Sequence, residues 1–244
     1  MIYQRQEVIG LGDLDANGDT KLAAVLKYAS EAALFNAEEL GIGLEKTLST
    51  GLVFLIQRFG MKINQLPGLG QTVTVRTWPG KITRSAFKRY GDIQDETGNR
   101  LIEWETLWVL VDINERKMKR PNAFPIEFPH YGEFDIAIES EKIIIPEEKT
   151  TVASYNHPVR FSELDINLHM NNAIYGDLIA NVLAQGDSLN MKDWQEVQFN
   201  YIHEAKIGDE ITVDAYQAEN NLYVLGTCGD KSIFNTKVKY KERV

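Results

Sequence analysis

Apolar residues recur at steps of three and four between Leu22 and Leu40, which is the period of an amphipathic helix. Thr20 precedes this stretch as a candidate N-cap, and Gly41 follows it as a candidate stop. Several of the apolar positions are alanine, which suits close packing against a sheet. The pattern therefore predicts one long helix near the start of the chain.

From Leu52 onward the period changes to two. Val73 and Val75 alternate with polar residues, and a second apolar run, residues 101–113, follows a turn at residues 96–99. Alternation with period two is typical of strands. The pattern predicts several antiparallel strands after the helix.

The second half of the chain repeats this order. Residues 164–167 echo residues 14–17 at an offset of 150, and residues 208–213 echo residues 70–75 at an offset of 138. Between them lies a second helical pattern, formed by Ile174, Leu178, Ile179, Val182 and Leu183. Each half therefore predicts an α+β unit in which an antiparallel sheet wraps around a long helix, and we expect the two units to pair their sheets.

Five of the seven prolines lie between residues 115 and 158, beside several acidic residues. This composition predicts a linker that crosses from one unit to the other. The expected division is an N-terminal unit over residues 1–120, a crossing linker over residues 121–155, and a C-terminal unit over residues 156–244.

The composition is that of a globular protein, with 43% hydrophobic and 25% charged residues. The net charge of -9 disfavours nucleic acid as a partner, and no apolar run is long enough to span a membrane. Cys228 is the only cysteine, and the N-terminus lacks the form of a secretory signal. We expect a cytoplasmic protein in a reducing compartment.

The usual cofactor and nucleophile motifs are absent from the sequence. It contains no G-x-S-x-G elbow, no phosphate-binding glycine loop and no H-E-x-x-H pair. Asp13 begins a stretch that resembles a calcium loop, but its twelfth position is Ala24, so a turn before the helix is the better interpretation. We expect neither a cofactor nor a metal ion.

The richest segment for chemistry is residues 161–172. In an extended stretch Asp165, Asn167 and His169 point the same way, and the segment leads into the second helix, whose free N–H groups favour negative charge. This combination suits hydrolysis at a carbonyl. The alternative is that Asn171 or Asn172 only caps the helix and that His169 is an ordinary polar residue.

A predicted strand follows, with Val197, Phe199 and Tyr201 on one face and Glu204 just beyond its end. A glutamate in this place is commonly a solvated charge. It becomes of interest only if it has a partner.

The spaced pattern of Asp165, Asn167, His169 and paired asparagines, followed by Tyr201-x-His203-Glu204, resembles the acyl-ACP thioesterases of plants and bacteria. The resemblance covers nearly the whole chain. It includes Glu31-Ala32-Ala33, Arg58-Phe59, Thr77-Trp78 and Trp108-Val109 in the first half. It implies a tandem double hot-dog fold, which agrees with the repeat.

By this resemblance Asp165, Asn167, His169 and Glu204 correspond to the family's catalytic residues, and N–H groups around Asn171 and Asn172 would stabilise an oxyanion. Ala205 stands where plant members have a cysteine, so a cysteine acyl-enzyme is excluded at that position. The implied reaction is hydrolysis of fatty acyl-ACP, with Glu204 or Asp165 as general base on water, or with direct attack by Asp165 as the rival chemistry.

The first unit has Asp19 where the second has His169, so we expect one active site per chain, with the first unit holding the acyl chain. Two other functions remain open, a hot-dog acyl-ACP dehydratase or hydratase, and an acyl-binding protein without catalysis. The sequence leaves open whether two copies form a homodimer.

The implied partner, acyl carrier protein, is acidic, so this acidic chain needs local positive charge to bind it. Two segments supply clustered basic residues, and residues 81–89 contain no acidic residue. The candidate docking residues are Lys81, Arg84, Lys88 and Arg89 in the first segment, and Arg116, Lys117, Lys119 and Arg120 in the second. The alternative is that they are ordinary edge-strand charges that discourage aggregation.

Overall fold

The computed structural model describes residues 2–128, 136–185 and 191–241. Within these ranges the helices are α1 (Leu22–Glu39), α2 (Leu44–Leu48) and α3 (Ile174–Leu183). The strands are β1 (Tyr3–Val8), β2 (Leu52–Ile63), β3 (Thr72–Ile82), β4 (Phe87–Gln94), β5 (Arg100–Asp112), β6 (Lys117–Lys119), β7 (Thr150–Pro158), β8 (Trp194–Tyr201), β9 (Glu210–Ala218), β10 (Asn221–Cys228) and β11 (Lys231–Tyr240).

One continuous sheet joins the two halves. Its strand order is β1-β3-β4-β5-β2-β8-β11-β10-β9-β7, with β6 paired to β5. Each half contributes five of these strands, and in both halves the second strand lies at the centre and is followed outward by the fifth, fourth, third and first. This confirms the α+β double hot-dog arrangement and the pairing of the two sheets.

The internal repeat is confirmed at the level of single hydrogen bonds. The Asp15 N–H donates to the Asp19 carbonyl at 2.8 Å, and the Asp165 N–H donates to the His169 carbonyl at 2.8 Å. Further along, the N–H of Asn64 reaches the Leu101 carbonyl, as that of Ile202 reaches the carbonyl of Ile233. Glu204, two residues after Ile202, therefore has Leu66 as its counterpart in the first unit.

Helix α1 ends as predicted but begins differently. Gly41 follows it with φ of +72°, a left-handed conformation that glycine adopts without strain. The prediction of Thr20 as N-cap is wrong. Its hydroxyl donates to the Pro67 carbonyl at 2.5 Å, so it ties the loop before α1 to the loop after β2.

The second helix is shorter than the first, with 10 residues against 18, which corrects the expectation of a long helix in each unit. The two helices cross at Gly176, where a Cβ atom would lie 2.7 Å from the backbone nitrogen of Ala23. A side chain at position 176 would therefore push the helices apart.

The core is continuous across both units. Phe59 and Met61 on β2, Val197 and Phe199 on β8, and the inner faces of α1 and α3 belong to one cluster of buried side chains. Burial of this apolar surface is the main stabilising contribution to the fold.

The linker crosses the outer face of the sheet and is shorter than predicted. Strand β7 begins at Thr150 and pairs with β9, so residues 150–155, which were assigned to the linker, belong to the second unit. Pro129 and His130, which also fall in the linker, lie outside the described residues.

Side chains of the sheet hold the linker by its backbone. Glu105 accepts hydrogen bonds from the N–H and hydroxyl of Ser140. Gln198 and Asn200 each accept from one linker N–H and donate to one linker carbonyl. This fixes the linker against the central strands of both units.

Candidate active site

The segment that precedes α3 is a tight turn, and the expectation of an extended stretch is wrong. Leu164 and Met170 form an isolated antiparallel bridge, and Leu168 lies between them with φ of +62°. Asp165, Asn167 and His169 are therefore brought together by the turn and not by strand alternation. The three polar residues occupy every second position, which is also the period of a strand, so the sequence alone does not distinguish this turn from an extended stretch.

Asp165 closes this turn. Its Oδ1 atom accepts a hydrogen bond from the Asn167 N–H at 2.8 Å, while the Asn167 side-chain amide lies 3.5 Å from Oδ2. A carboxylate that accepts from the N–H two residues ahead is a common turn motif of aspartate. Part of its hydrogen-bonding capacity is thus used within the loop.

His169 and Glu204 form a pair across two loops. The Nε2 atom of His169 lies 3.0 Å from Oε2 of Glu204, and the two side chains are 26% and 45% exposed. Backbone contacts fix the loops together, because the Met170 N–H donates to the carbonyl of Ala205 at 2.8 Å. A reactant in solvent can therefore reach a carboxylate that an imidazole orients.

Asn171 acts in part as the cap that the alternative interpretation describes. Its Oδ1 atom accepts from the Ala173 N–H at 2.9 Å, and its carbonyl accepts from the Ile174 N–H at 2.9 Å. The Asn172 N–H makes no hydrogen bond with the described residues, and its carbonyl lies 3.4 Å from the hydroxyl of Tyr201.

Two supporting groups were missed in the sequence. Oε2 of Glu163 accepts from the Arg160 N–H at 2.9 Å and lies 3.0 Å from Nε2 of His157, so it holds the turn that leads into the loop. The Glu163 carbonyl accepts from the Asn171 N–H. His157 precedes Glu163 by six residues across a strand end, a spacing that matches no motif.

Tyr175 was also missed, because it reads as one more apolar position of the helix. It is buried edge-on against Tyr201 and Phe234. Burial raises the pKa of the Tyr175 phenol, and the charges of Glu204 and Asp165 raise it further. Its ring therefore remains neutral beneath the site.

An apolar cavity of about 150 Å³ lies in the first unit, between α1, α2 and strands β2, β4 and β5. Ala33 and Ala37 of α1 and Val53 and Phe54 of β2 are among its lining residues. Strand β2 pairs with β8 only over residues 58–62, so Val53 and Phe54 extend past the end of β8, where the chain continues to Glu204. The cavity and the pair thus lie at the same end of the sheet.

Arg89 is a wall of this cavity and not a docking residue, which corrects its assignment to the basic surface. It is 6% exposed on the inner face of β4, and its Nη1 donates to Asn36 at 2.7 Å. Burial lowers the pKa of the Arg89 guanidinium to about 10. A carrier protein cannot reach it there.

The other basic residues differ in their availability. Lys88 pairs with Glu105 at 2.8 Å, and Lys119 lies 3.0 Å from Glu115, so their charges are partly neutralised. A groove of about 480 Å³ is lined by Arg84 and Arg120 from the two segments. Of the eight candidate docking residues, Lys81, Arg116 and Lys117 are also exposed.

The described residues hold no group of three or more His, Cys, Asp or Glu side chains arranged to bind a metal ion. None of their helices is long and apolar enough to cross a membrane.

Comparison with known proteins gives matches along nearly the whole chain. Residues 1–122 match the family model of the acyl-ACP thioesterase N-terminal domain, and residues 146–241 match that of the C-terminal domain. An acyl-[acyl-carrier-protein] hydrolase of Cuphea viscosissima is 25% identical over 72% of this chain and 45% of its own length. The dodecanoyl-[acyl-carrier-protein] hydrolase of Cinnamomum camphora is 26% identical over 73% and 50%.

The chain thus spans about half the length of these curated relatives. Among solved structures, the 12:0-ACP thioesterase of Umbellularia californica has a TM-score of 0.81 at 19% identity, covering 98% of this chain and 97% of that one. An acyl-ACP thioesterase of Bacteroides thetaiotaomicron has a TM-score of 0.75 at 20% identity, covering 98% of each chain. These structures share the fold, and the two family models, which together match most of the sequence, show that the chain belongs to the acyl-ACP thioesterase family.

Proposed function

We propose that this protein hydrolyses the thioester of a fatty acyl group bound to acyl carrier protein, releasing a free fatty acid and ending chain elongation. The observation that supports this most directly is the 3.0 Å contact between His169 Nε2 and Glu204 Oε2 in a solvent-accessible loop pair. The family and the curated relatives, which carry the names of acyl-ACP hydrolases, support the same reaction.

Glu204 is the general base in this proposal, and Asp165 positions the loop. Asp15 of the first unit closes its own turn in the same way, accepting from the Asn17 N–H at 2.8 Å. Because the aspartate has this role even where histidine and glutamate are missing, turn closure explains Asp165 without a chemical step. Glu204 has no comparable structural role among the described residues.

The reaction begins when Glu204 removes a proton from a water molecule that Asn167 and His169 hold. The hydroxide oxygen bonds to the thioester carbonyl carbon, the C–S bond breaks, and the departing thiolate takes up a proton. A thiol has a pKa of about 8.5, so the leaving group needs little help from an acid. With a proton on Nε2, His169 donates to Glu204 and keeps its carboxylate aimed at the water.

The backbone at the start of α3 supplies the oxyanion site. Ala173 and Ile174 use their N–H groups within the Asn171 turn, which leaves the Asn172 N–H as the donor in that stretch. Its position at a helix N-terminus adds the positive end of the helix dipole. Asn171 then has the supporting role of holding that turn.

The cavity of the first unit accepts the acyl chain. It is lined mainly by apolar side chains and lies at the end of the sheet where Glu204 is placed. Arg89 gives one of its walls a charge, so a chain end that reaches this wall meets a poor environment for a methyl group. This wall limits the length of chain that fits.

The carrier protein docks on the groove between the two basic segments, with Arg84 and Arg120 as the central contacts. An acidic carrier is attracted to this patch although the chain as a whole has a net charge of -9. The names of these curated relatives include the word chloroplastic. For this chain, with its single cysteine, we propose a reducing compartment such as the cytoplasm.

The function is tested by incubating the protein with a saturated acyl-ACP and measuring free thiol. Release of thiol that depends on both His169 and Glu204 supports hydrolysis. A dehydratase leaves the saturated substrate unchanged, and an acyl-binding protein without catalysis retains it as bound thioester. Acyl-ACPs of graded chain length, with the acyl-CoAs alongside, then define the preferred substrate.

A further inference from the structure

The two equivalent loops differ in their exposed apolar side chains as well as in their polar ones. The second unit has Ile166, Leu168 and Ile202, which are 82%, 67% and 42% exposed. The residues at the same positions of the first unit are Ala16, Gly18 and Asn64. These three aliphatic residues, which we call the apolar lip, occur only in the unit that contains the His169–Glu204 pair.

One pair of exposed apolar residues is common to both units. Phe161 and Leu11 occupy equivalent short turns and are 80% and 77% exposed. Because they are present in both units, they are unrelated to what distinguishes the second loop. The internal repeat thus distinguishes the apolar lip from this shared pair.

Leu168 carries two unfavourable features at once. It has φ of +62°, a left-handed conformation in which a leucine is strained, and its counterpart in the other loop is a glycine with φ of +81°. The side chain also remains in contact with solvent. Strained residues of this kind cluster at active sites and ligand-binding segments.

We propose that the apolar lip binds the pantetheine arm of the substrate, and this inference rests on the proposed thioester hydrolysis. Ile166 and Leu168 flank Asn167 and His169, and Ile202 lies two residues before Glu204. The arm must leave the reacting carbonyl toward solvent, whereas the acyl chain enters the interior. The arm contains aliphatic carbons, including a pair of methyl groups, that the lip removes from water.

The test compares three thioesters with the same acyl group: acyl-ACP, acyl-pantetheine and acyl-N-acetylcysteamine. The last one ends at the first amide and lacks most of the arm. In the double variant Ile166→Ser with Leu168→Gly we expect KM to rise about tenfold for acyl-ACP and acyl-pantetheine, which equals about 1.4 kcal/mol. We expect the rate with acyl-N-acetylcysteamine and the value of kcat to be unchanged.

Three further single variants separate the effect of the Leu168 side chain from that of its backbone and provide a control. Leu168→Asn keeps a residue that tolerates the left-handed conformation and should show part of the rise in KM. Leu11→Ser removes an equally exposed apolar side chain from the first unit and should have no effect. Leu168→Gly should not lower the melting temperature, because glycine adopts this backbone without strain.

Binding of an S-alkyl-pantetheine thioether, which cannot be hydrolysed, makes the inference independent of turnover. Suppose that the wild type binds the thioether, that the lip variant binds it about tenfold more weakly, and that neither protein hydrolyses a thioester. In that case the lip binds the arm as inferred, and the proposed hydrolysis is wrong. The inference that the lip binds the arm is overturned if the lip variant raises KM equally for all three thioesters, for acyl-ACP alone, or for none of them. It is also overturned if the variant changes the oligomeric state on sedimentation.

Discussion

The loops at residues 14–20 and 164–170 have the same backbone and different chemistry. In both, an aspartate accepts a hydrogen bond from the N–H two residues ahead, and a left-handed residue completes the turn. The second loop has His169 facing Glu204, whereas the first has Asp19, with Leu66 at the position of the glutamate. A turn can therefore be retained for its structure while the reactive side chains are present in only one copy.

The environment of Asp19 shows what the first loop does instead. Burial and the neighbouring charge of Asp15 raise the pKa of the Asp19 carboxyl, and Lys192 partly offsets this rise. Lys192 belongs to the turn that precedes β8. The aspartate of the first loop thus lies near the other unit, in a position where the second loop has its imidazole.

The largest expected effect comes from removing the pair that distinguishes the second loop. His169→Ala and Glu204→Gln should each lower the rate of thioester hydrolysis by about a hundredfold or more, since each removes the general base or the group that orients it. The first-unit variants Asp19→Ala and Leu66→Ala serve as matched controls and should keep turnover within about twofold, with the fold checked by circular dichroism. Near-normal turnover in either second-unit variant would exclude the site.

The next effect concerns the cavity, which also differs between the units. Ala33 lines it on α1, and at the offset of 150 residues α3 has Leu183, a buried core residue. Ala33→Leu makes the first unit resemble the second and takes space from the acyl chain. The rate with the longest accepted acyl group should fall by about tenfold or more, while shorter groups are spared, because each methylene of misfit costs about 1–3 kcal/mol.

A control for this variant is Ala23→Ser, on a different turn of the same helix. Hydrolysis of acyl-ACPs of graded length measures both. If Ala33→Leu lowers the rate equally for short and long chains, the cavity does not hold the acyl group.

These features differ in how far local sequence patterns predict them. Helix and strand periodicity predicted the two α+β units, because it depends on neighbouring residues only. The residue types of Asp165, Asn167 and His169 indicated a candidate site, and the resemblance to the thioesterases added Glu204, which is distant along the chain. The linker contacts of Glu105 and Asn200 were not predictable, since their partners lie 35 and 57 residues away and are backbone groups. The burial of Arg89 was missed for a related reason: a basic segment does not reveal which side of its strand faces the helix.

The docking surface should give a smaller effect than the cavity. Arg84→Glu combined with Arg120→Glu reverses two charges in the groove, so KM for acyl-ACP should rise by about tenfold while KM for acyl-CoA changes little. Added salt should weaken the wild type in the same direction, because exposed charges are screened over about 8 Å at physiological ionic strength. Arg5→Glu is not a suitable control, since Arg5 pairs with Glu7 and Glu31.

Lys231→Glu, at the exposed start of β11 in the second unit, changes the net charge by the same amount per residue and provides the comparison. An equal rise in KM for both substrates, or for the Lys231 variant as well, would show that the groove is not the docking surface.

The smallest expected effect concerns a charged position at which the two helices differ. Asp177 of α3 is half-buried, at the position where α1 has Lys27, and burial together with the charge of Glu163 raises the pKa of its carboxyl, which Lys21 partly offsets. A carboxyl with a raised pKa in the folded state stabilises the fold fully below its unfolded pKa, and this contribution is lost as pH rises through the folded pKa. Asp177→Asn should therefore raise the melting temperature at pH 7, by no more than about 4 °C, and leave it unchanged near pH 3.

Asp95 should show the opposite change in melting temperature, because hydrogen bonds from Thr97 and Asn99 lower its pKa to about 2. Asp95→Asn should lower the melting temperature at pH 7, and the difference should shrink as the pH falls toward 2. If both variants shift the melting temperature in the same direction at pH 7, burial does not govern the titration of Asp177.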